Sequence, residues 1–304
     1  MYNERIVCAF LYIITKYGYP PKAEDTEKHL EEMKALGFKS VELEGIREEH
    51  LGKVYENRHR FAAKIKELGL NVPYFCTVLP GLSSLDAAER ERQLALFEKG
   101  CEVATLYGSL GVLDNAPLPP YQFPEDIPVV RHYGDEVLSA AFLPRDVTWE
   151  KVWDNIVGTY RDACDIAARH GLTYLMHPAE GLLASNTDAY LYFHDAVGRD
   201  NLRFTLDTAN QFVVRDNLAL SMTRLKDHVD YIHVSDNRGQ KVEHLAVGDG
   251  RIRWDIFLET LDRVGYKGYL GLDIGGDESA VPDLDGAYKG AAEWLQKDYL
   301  GKAA

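Results

Sequence analysis

Four polar clusters, His177-Pro178-Ala179-Glu180, Asp207-Thr208-Ala209-Asn210, His233-Val234-Ser235-Asp236 and Asp273, each close a short apolar run of the chain. A carboxylate or imidazole at the end of a buried segment is costly unless it is paired, hydrogen-bonded or bound to a cation. Its recurrence argues for one shared centre. Glu180, Asp207, His233 and Asp273 together offer three carboxylates and one imidazole, a hard, mostly oxygen donor set. That set suits Mn²⁺ first, with Mg²⁺, Co²⁺ or Zn²⁺ also compatible. With coordination positions left open, such a cation would bind a sugar's carbonyl and an adjacent hydroxyl, and stabilise the enediolate formed when the carbon between them loses a proton. His177, three residues before Glu180, is a candidate to take or return that proton at neutral pH. Ligand and purely structural roles stay open for it, and Glu180 is expected to act in catalysis as well as to ligate.

Each residue also has a plainer reading. Asp207, ahead of Thr208, has the form of a helix N-cap. His233 alone would be a hydrogen-bonded core histidine, and Asp236 before Asn237-Arg238-Gly239 reads as turn chemistry. Together, at matching positions, they outweigh these separate accounts. Glu42 and Glu44 alternate within Val41-Glu42-Leu43-Glu44, so both fall on one side of a strand. Glu44, nearer the catalytic end, is a candidate substrate contact or a member of an internal salt bridge. Asn210, Asp236, Arg238 and His244 complete the expected substrate-binding set, the last two on a loop made tight by Gly239, Gly248 and Gly250.

The elements that must position these groups are marked by a repeated signal. Gly37, Gly69, Gly171 and Gly265 each follow a helical pattern and precede a strand-like run, as a glycine at a helix C-terminus does. In the helical segments, Val152, Ile156, Tyr160, Ala163 and Ala167 recur at three- and four-residue steps, and Leu94, Phe97, Cys101 and Ala104 form a second stripe. About eight strands result, near Val7, Val41, Pro73, Gly111, Tyr174, Phe204, Ile232 and Leu270. Strict βα alternation in a chain of 304 residues predicts an α/β fold, a (β/α)8 TIM barrel forming a single domain over 1–304. Catalytic groups in such a barrel sit at the C-terminal ends of strands, where the four clusters fall. No glycine-rich loop follows the first strand, against a dinucleotide fold. One long loop insertion is expected after strand four, about residues 114–146, holding six of the 12 prolines. Loops of that length are uncommon without a function; Tyr121, Phe123, Arg131, His132 and Tyr133 are its candidate pocket residues, and a subunit contact is an alternative role.

A net charge of -14 with no Lys/Arg run disfavours nucleic acid. No apolar stretch reaches the roughly 18 residues of a membrane span, and no leader pattern opens the chain. The expectation is a soluble, cytoplasmic protein with no membrane partner. Cys8, Cys76, Cys101 and Cys164 lack metal or disulfide spacing and read as buried thiols.

The Val41-Glu42-Leu43-Glu44 strand, Asp207-Thr208, His233-x-x-Asp236, Val247-Gly248-Asp249-Gly250-x-Ile252-x-Trp254 and Gly268-Tyr269-x-Gly271 resemble the xylose-isomerase-like TIM-barrel superfamily of sugar isomerases and epimerases, which also holds endonuclease IV-type nucleases. The resemblance spans nearly all of the chain outside the insertion. It implies a metal held by a strand-five carboxylate, Asp207, His233 and a strand-eight carboxylate. His177 stands where the family usually has Glu, so the ligand role passes to Glu180. Asp273 replaces a longer Glu, and Asn210 stands where His is usual. Two-base epimerases of the superfamily use Glu at both positions, so one-base isomerisation or elimination fits these departures better. The superfamily also contains the metal-binding subunit of bacterial C-glycoside deglycosidases, which acts on 3-keto sugars under a small β-sandwich partner. The resemblance therefore implies a sugar or keto-sugar substrate, an oligomer, and the alternative of a small second subunit.

Overall fold

The computed structural model describes residues 1–123, 132 and 134–301. Apolar runs of three to six residues form strands β1 (Ile6–Cys8), β4 (Tyr74–Val78), β5 (Gly111–Asn115), β6 (Thr173–His177), β7 (Leu202–Asp207), β8 (Val229–Val234) and β9 (Tyr269–Leu272), and the shorter segments β2 (Ser40–Val41) and β3 (Leu43–Ile46) complete the sheet. All pairings are parallel, in the order β2-β1-β9-β8-β7-β6-β5-β4-β3. The two ends of that sheet, β2 and β3, are halves of one strand interrupted only at Glu42, whose N–H still donates to Cys8 O at 2.9 Å. The sheet therefore closes on itself as the expected eight-position barrel.

Strand alternation divides the side chains into two layers. Val7, Tyr74, Cys76, Leu113, Leu175 and Tyr231 fill the barrel interior, with the Tyr74 and Tyr231 rings stacked at 4.7 Å. Phe75, Val112, Tyr174 and Phe204 face outward and pack beneath the helices. The helix Trp149–Arg169 buries Val152, Ile156, Tyr160, Ala163 and Ala167, the stripe its spacing predicts, and starts where Thr148 accepts from Lys151 N–H. Gly69 and Gly265 close their helices at φ 60° and 69°, a left-handed conformation that L side chains adopt at a cost. All four cysteines are buried thiols.

The connection from β5 to the helix Trp149–Arg169 runs over residues 116–148. Its described part contains the helix Asp135–Ala140 and an antiparallel bridge between Gln122 and Phe142. Tyr121 and Phe123 meet edge-on at 6.1 Å; Arg131 and Tyr133 lie outside the described residues. Among the described residues no helix is long and apolar enough to cross a membrane.

Candidate metal centre

The C-terminal ends of the strands carry the site. His177 ends β6, Asp207 ends β7, His233 lies one residue from the end of β8, and Asp273 follows β9. The β7–β8 register puts Asp207 beside His233, and His233 pairs with Gly271, two residues before Asp273. All four side chains are buried. His177 Nε2 lies 3.0 Å from Asp207 Oδ2, and His233 Nδ1 lies 3.9 Å from Asp207 Oδ2 and 3.7 Å from Asp273 Oδ2.

A fifth donor comes from the loop after β8. Antiparallel bridges Asp236–Leu245 and His244–Gly275 fold this loop back over the barrel mouth. His244, fully buried, is thereby brought with Nε2 3.7 Å from Asp207 Oδ2 and 3.6 Å from Asp273 Oδ2. Two groups of three, His177/Asp207/His233 and Asp207/His244/Asp273, each hold donor atoms within 4.8 Å of one another. They share Asp207.

The outer nitrogens of two imidazoles are anchored. His233 Nε2 is 3.1 Å from Glu42 Oε2, and His244 Nδ1 is 3.1 Å from Glu278 Oε1. Their inner nitrogens, His233 Nδ1 and His244 Nε2, are buried without a hydrogen-bond partner, as is Asp273 Oδ2. Buried polar atoms are rarely left so, and here three of them surround Asp207. Asp207 is held in turn: Oδ1 accepts from Asn210 N–H at 2.8 Å as an N-cap, and Asn210 Nδ2 donates to Oδ2 at 3.1 Å. Oδ1 thus makes the helix cap, while Oδ2 faces the three imidazoles.

Electrostatics follow the packing. Burial pulls the His233 pKa down, but Glu42 and Asp273 outweigh it and raise it to about 9. Burial likewise opposes protonation of His244, yet Asp207 and Glu278 raise it to about 10. Burial would raise the Asp207 carboxyl, and the His177 and His244 imidazoles instead hold it well below the usual range. The cluster attracts positive charge. Three imidazoles and two carboxylates fit a first-row divalent ion.

A family model described as a xylose isomerase-like TIM barrel matches residues 30–298. The chain belongs to that family. Among solved structures, it is similar to 3-keto-D-glucoside 4-epimerase from E. coli with a TM-score of 0.73 at 18% identity, covering 97% of this chain and 100% of that one. D-allulose 3-epimerase from Methylomonas sp. matches with a TM-score of 0.72 at 17% identity, over 97% and 99% of the two chains. An L-ribulose 3-epimerase gives 0.73 at 16% identity, over 98% and 96%. Likeness at these identities is likeness of fold. An uncharacterised protein of Methanocaldococcus jannaschii is 26% identical over 129 residues, 40% of this chain and 44% of its own length. A second from the same organism is 27% identical over 84 residues, 28% of this chain and 31% of its own length. The chain thus spans less than half the length of either archaeal protein.

In this xylose isomerase-like barrel the other expected site residues are spread unevenly. Glu180, past the end of β6, stands outside both donor groups and lines the adjoining cavity with Glu44 on another wall. Burial, and then Asp135, raise the Glu180 pKa. Asp236 faces away from the cavity and accepts from Asn237 N–H at 2.9 Å, Gly248 N–H at 2.9 Å, Ile252 N–H at 3.1 Å and Trp254 Nε1 at 2.8 Å. Its carboxylate is consumed by the turn, the plainer of its two readings. Arg238 is exposed and pairs with Glu243 at 2.8 Å, away from the cavity lining. Leu118, His132 and Leu138 of the long connection line the cavity, and Leu138 packs about Gly181, where an added Cβ would meet its Cδ2 at 3.0 Å. Sequence reasoning singled out Glu42 only as Glu44's neighbour and did not single out Glu278. The alternation at 42 and 44 was the available signal for Glu42; Glu278 has none.

Proposed function

We propose that the protein is a divalent-metal-dependent enzyme that moves a proton at the carbon next to the carbonyl of a sugar or keto-sugar, the chemistry of an isomerase or epimerase. One observation carries this reading: two imidazoles have their outer nitrogens on Glu42 and Glu278 while their inner nitrogens, without partners, face Asp207 and Asp273. Carboxylate-anchored imidazoles of this kind are oriented metal ligands. His177, Asp207, His233, His244 and Asp273 would hold the ion, and three imidazole nitrogens favour Mn²⁺, Co²⁺ or Zn²⁺ over Mg²⁺. A bound ion would supply Lewis-acid polarisation of the substrate carbonyl.

The proton then falls to Glu180 rather than to His177. Both residues border the cavity, but His177 Nε2 is taken up with Asp207, whereas Glu180 stands outside the donor groups with its pKa raised by burial, which strengthens a carboxylate as a base. Glu44, on a strand three barrel positions from β6, would hold substrate hydroxyls from another wall. Asn210 keeps Asp207 in place. The likeness to 3-keto-D-glucoside 4-epimerase and D-allulose 3-epimerase supports a sugar or keto-sugar by analogy of fold.

A second reading, elimination of an aglycone from a 3-keto-glycoside, is favoured by the apolar wall of Leu118, Leu138, Tyr160 and Leu182. A polyhydroxylated sugar alone has little use for such a surface. Deuterium uptake from D₂O into a panel of ketoses and 3-keto-glycosides, with metal-replete protein, tests both. Uptake without aglycone release supports the isomerase or epimerase, and uptake with release supports elimination. If no substrate in the panel exchanges, both readings fail.

A further inference from the structure

Arg47 is the single Lys or Arg among the described residues lining the cavity. It stands where β3 passes into the helix Arg47–Glu56, three residues beyond Glu44, with φ 56°. Only one other described non-glycine residue, Arg215, has a positive φ. An L side chain in this region is strained, and such strain persists where the surroundings enforce it, commonly at ligand sites. Arg47 is also held from the side, its guanidinium lying 5.4 Å from the Tyr19 ring centroid. Tyr19 lines the same cavity.

Among the described residues the guanidinium nevertheless has no acceptor. Its Nε is buried without a hydrogen-bond partner, and among the described residues no carboxylate forms an ion pair with it. Of the cavity's five acids among the described residues, Glu42 is engaged by His233, Asp114 accepts from Thr77 Oγ1 and the Leu79 and Asn115 amides, Asp273 stands in the donor cluster, Glu180 lies past β6, and Glu44, three residues before Arg47, forms no ion pair with it. A guanidinium presents a rigid fork of donors matched to the paired oxygens of a carboxylate or phosphate. A neutral sugar leaves that fork without its counter-charge.

We infer that Arg47 selects substrates carrying an anionic group, a carboxylate or a phosphate, at a position remote from the reacting carbon. This rests on the sugar-processing reading above and narrows its substrate class to acidic or phosphorylated sugars. Arg47 is a specificity residue here, remote from the proton transfer.

The test is calorimetric titration of metal-loaded protein with sugars matched except for charge: D-glucuronate against D-glucose, and D-fructose 6-phosphate against D-fructose. At least one anionic member should bind about tenfold or more tightly than its neutral partner, the scale of a charge-assisted hydrogen bond. The member that does so tells carboxylate from phosphate. Arg47→Gln should erase that difference while leaving the neutral sugar's affinity unchanged, and Arg47→Lys should retain part of it. Melting temperature and metal content of each variant report whether its fold and centre survive. If neither anionic sugar outbinds its partner, or if Arg47→Gln weakens charged and neutral sugars equally, the inference is overturned. Failure of the metal-centre reading shows separately, as absence of bound metal from the unsubstituted protein.

Discussion

Asp236 separates a structural from a substrate role by magnitude. Its Oδ1 accepts from the Asn237 and Ile252 amides and its Oδ2 from the Gly248 amide and the Trp254 indole. Gly250 is confined to glycine by the same carboxylate, since an added Cβ would lie 2.2 Å from Oδ1. In Asp236→Ala the Gly248 amide, on an exposed residue, can turn to water, but Asn237 N, Ile252 N and Trp254 Nε1 belong to buried residues. Three stranded donors at roughly 1–3 kcal/mol each, reduced by relaxation and water entry, give a loss of about 4 kcal/mol. For a chain of this size that is a fall in melting temperature of roughly 6 °C. Asp236→Asn, which keeps one acceptor oxygen, should lose about half as much. Thermal unfolding followed by circular dichroism, with deuterium exchange measured below the transition, decides the matter. A melting temperature unchanged in Asp236→Ala together with abolished exchange would refute the argument and return Asp236 to the substrate.

Three further outcomes follow from the same geometry. Glu42→Gln removes the anchoring charge from His233 Nε2 and should weaken metal binding by roughly 10–100-fold, measured by competition with a chromogenic chelator; unchanged affinity would separate Glu42 from the centre. Glu180→Gln should abolish deuterium exchange with metal content retained, whereas loss of metal would make Glu180 a ligand. His50 is buried, its Nδ1 accepts from Ile46 N–H at 3.0 Å, and burial lowers its pKa to about 4. The unfolded chain takes up a proton near pH 6.5, so this group's contribution is present above pH 6.5 and is lost as pH falls towards 4. The loss amounts to about 3 kcal/mol. Urea unfolding of the protein and of His50→Gln across that range should show a steeper fall for the unsubstituted protein; parallel curves would contradict it.

The barrel was legible because each strand is a short apolar run and each preceding helix ends at a glycine such as Gly69 or Gly265. Asp207, His233 and Asp273 were visible for the same reason, standing at the ends of those runs where a barrel keeps its chemistry. His244 was legible as a site residue but not as a neighbour of the Asp207 cluster, because that depends on how its loop returns. His244 lies 11 residues past His233 and reaches the cluster only because two antiparallel bridges fold its loop across the barrel mouth. Alternation put Glu42 and Glu44 on one face, but their division of labour, one anchoring His233 and one bordering the cavity, depends on a contact 191 residues away in sequence. Spacing alone also leaves His177 and Glu180 interchangeable. The path through Pro178 sends His177 to Asp207 and leaves Glu180 outside the donor groups. Arg47 carried no sequence signal, since a left-handed arginine is set by its tertiary surroundings.

Whether the Asp207 cluster holds a divalent cation is read by elemental analysis after equilibration with Mn²⁺, Co²⁺ and Zn²⁺ and removal of excess ion. About one ion per chain is expected in the unsubstituted protein and loss of that ion in Asp207→Asn, with chelation lowering the melting temperature of the former only. A protein that retains no ion, or an Asp207→Asn variant that retains its full complement, would contradict a cation centre at Asp207.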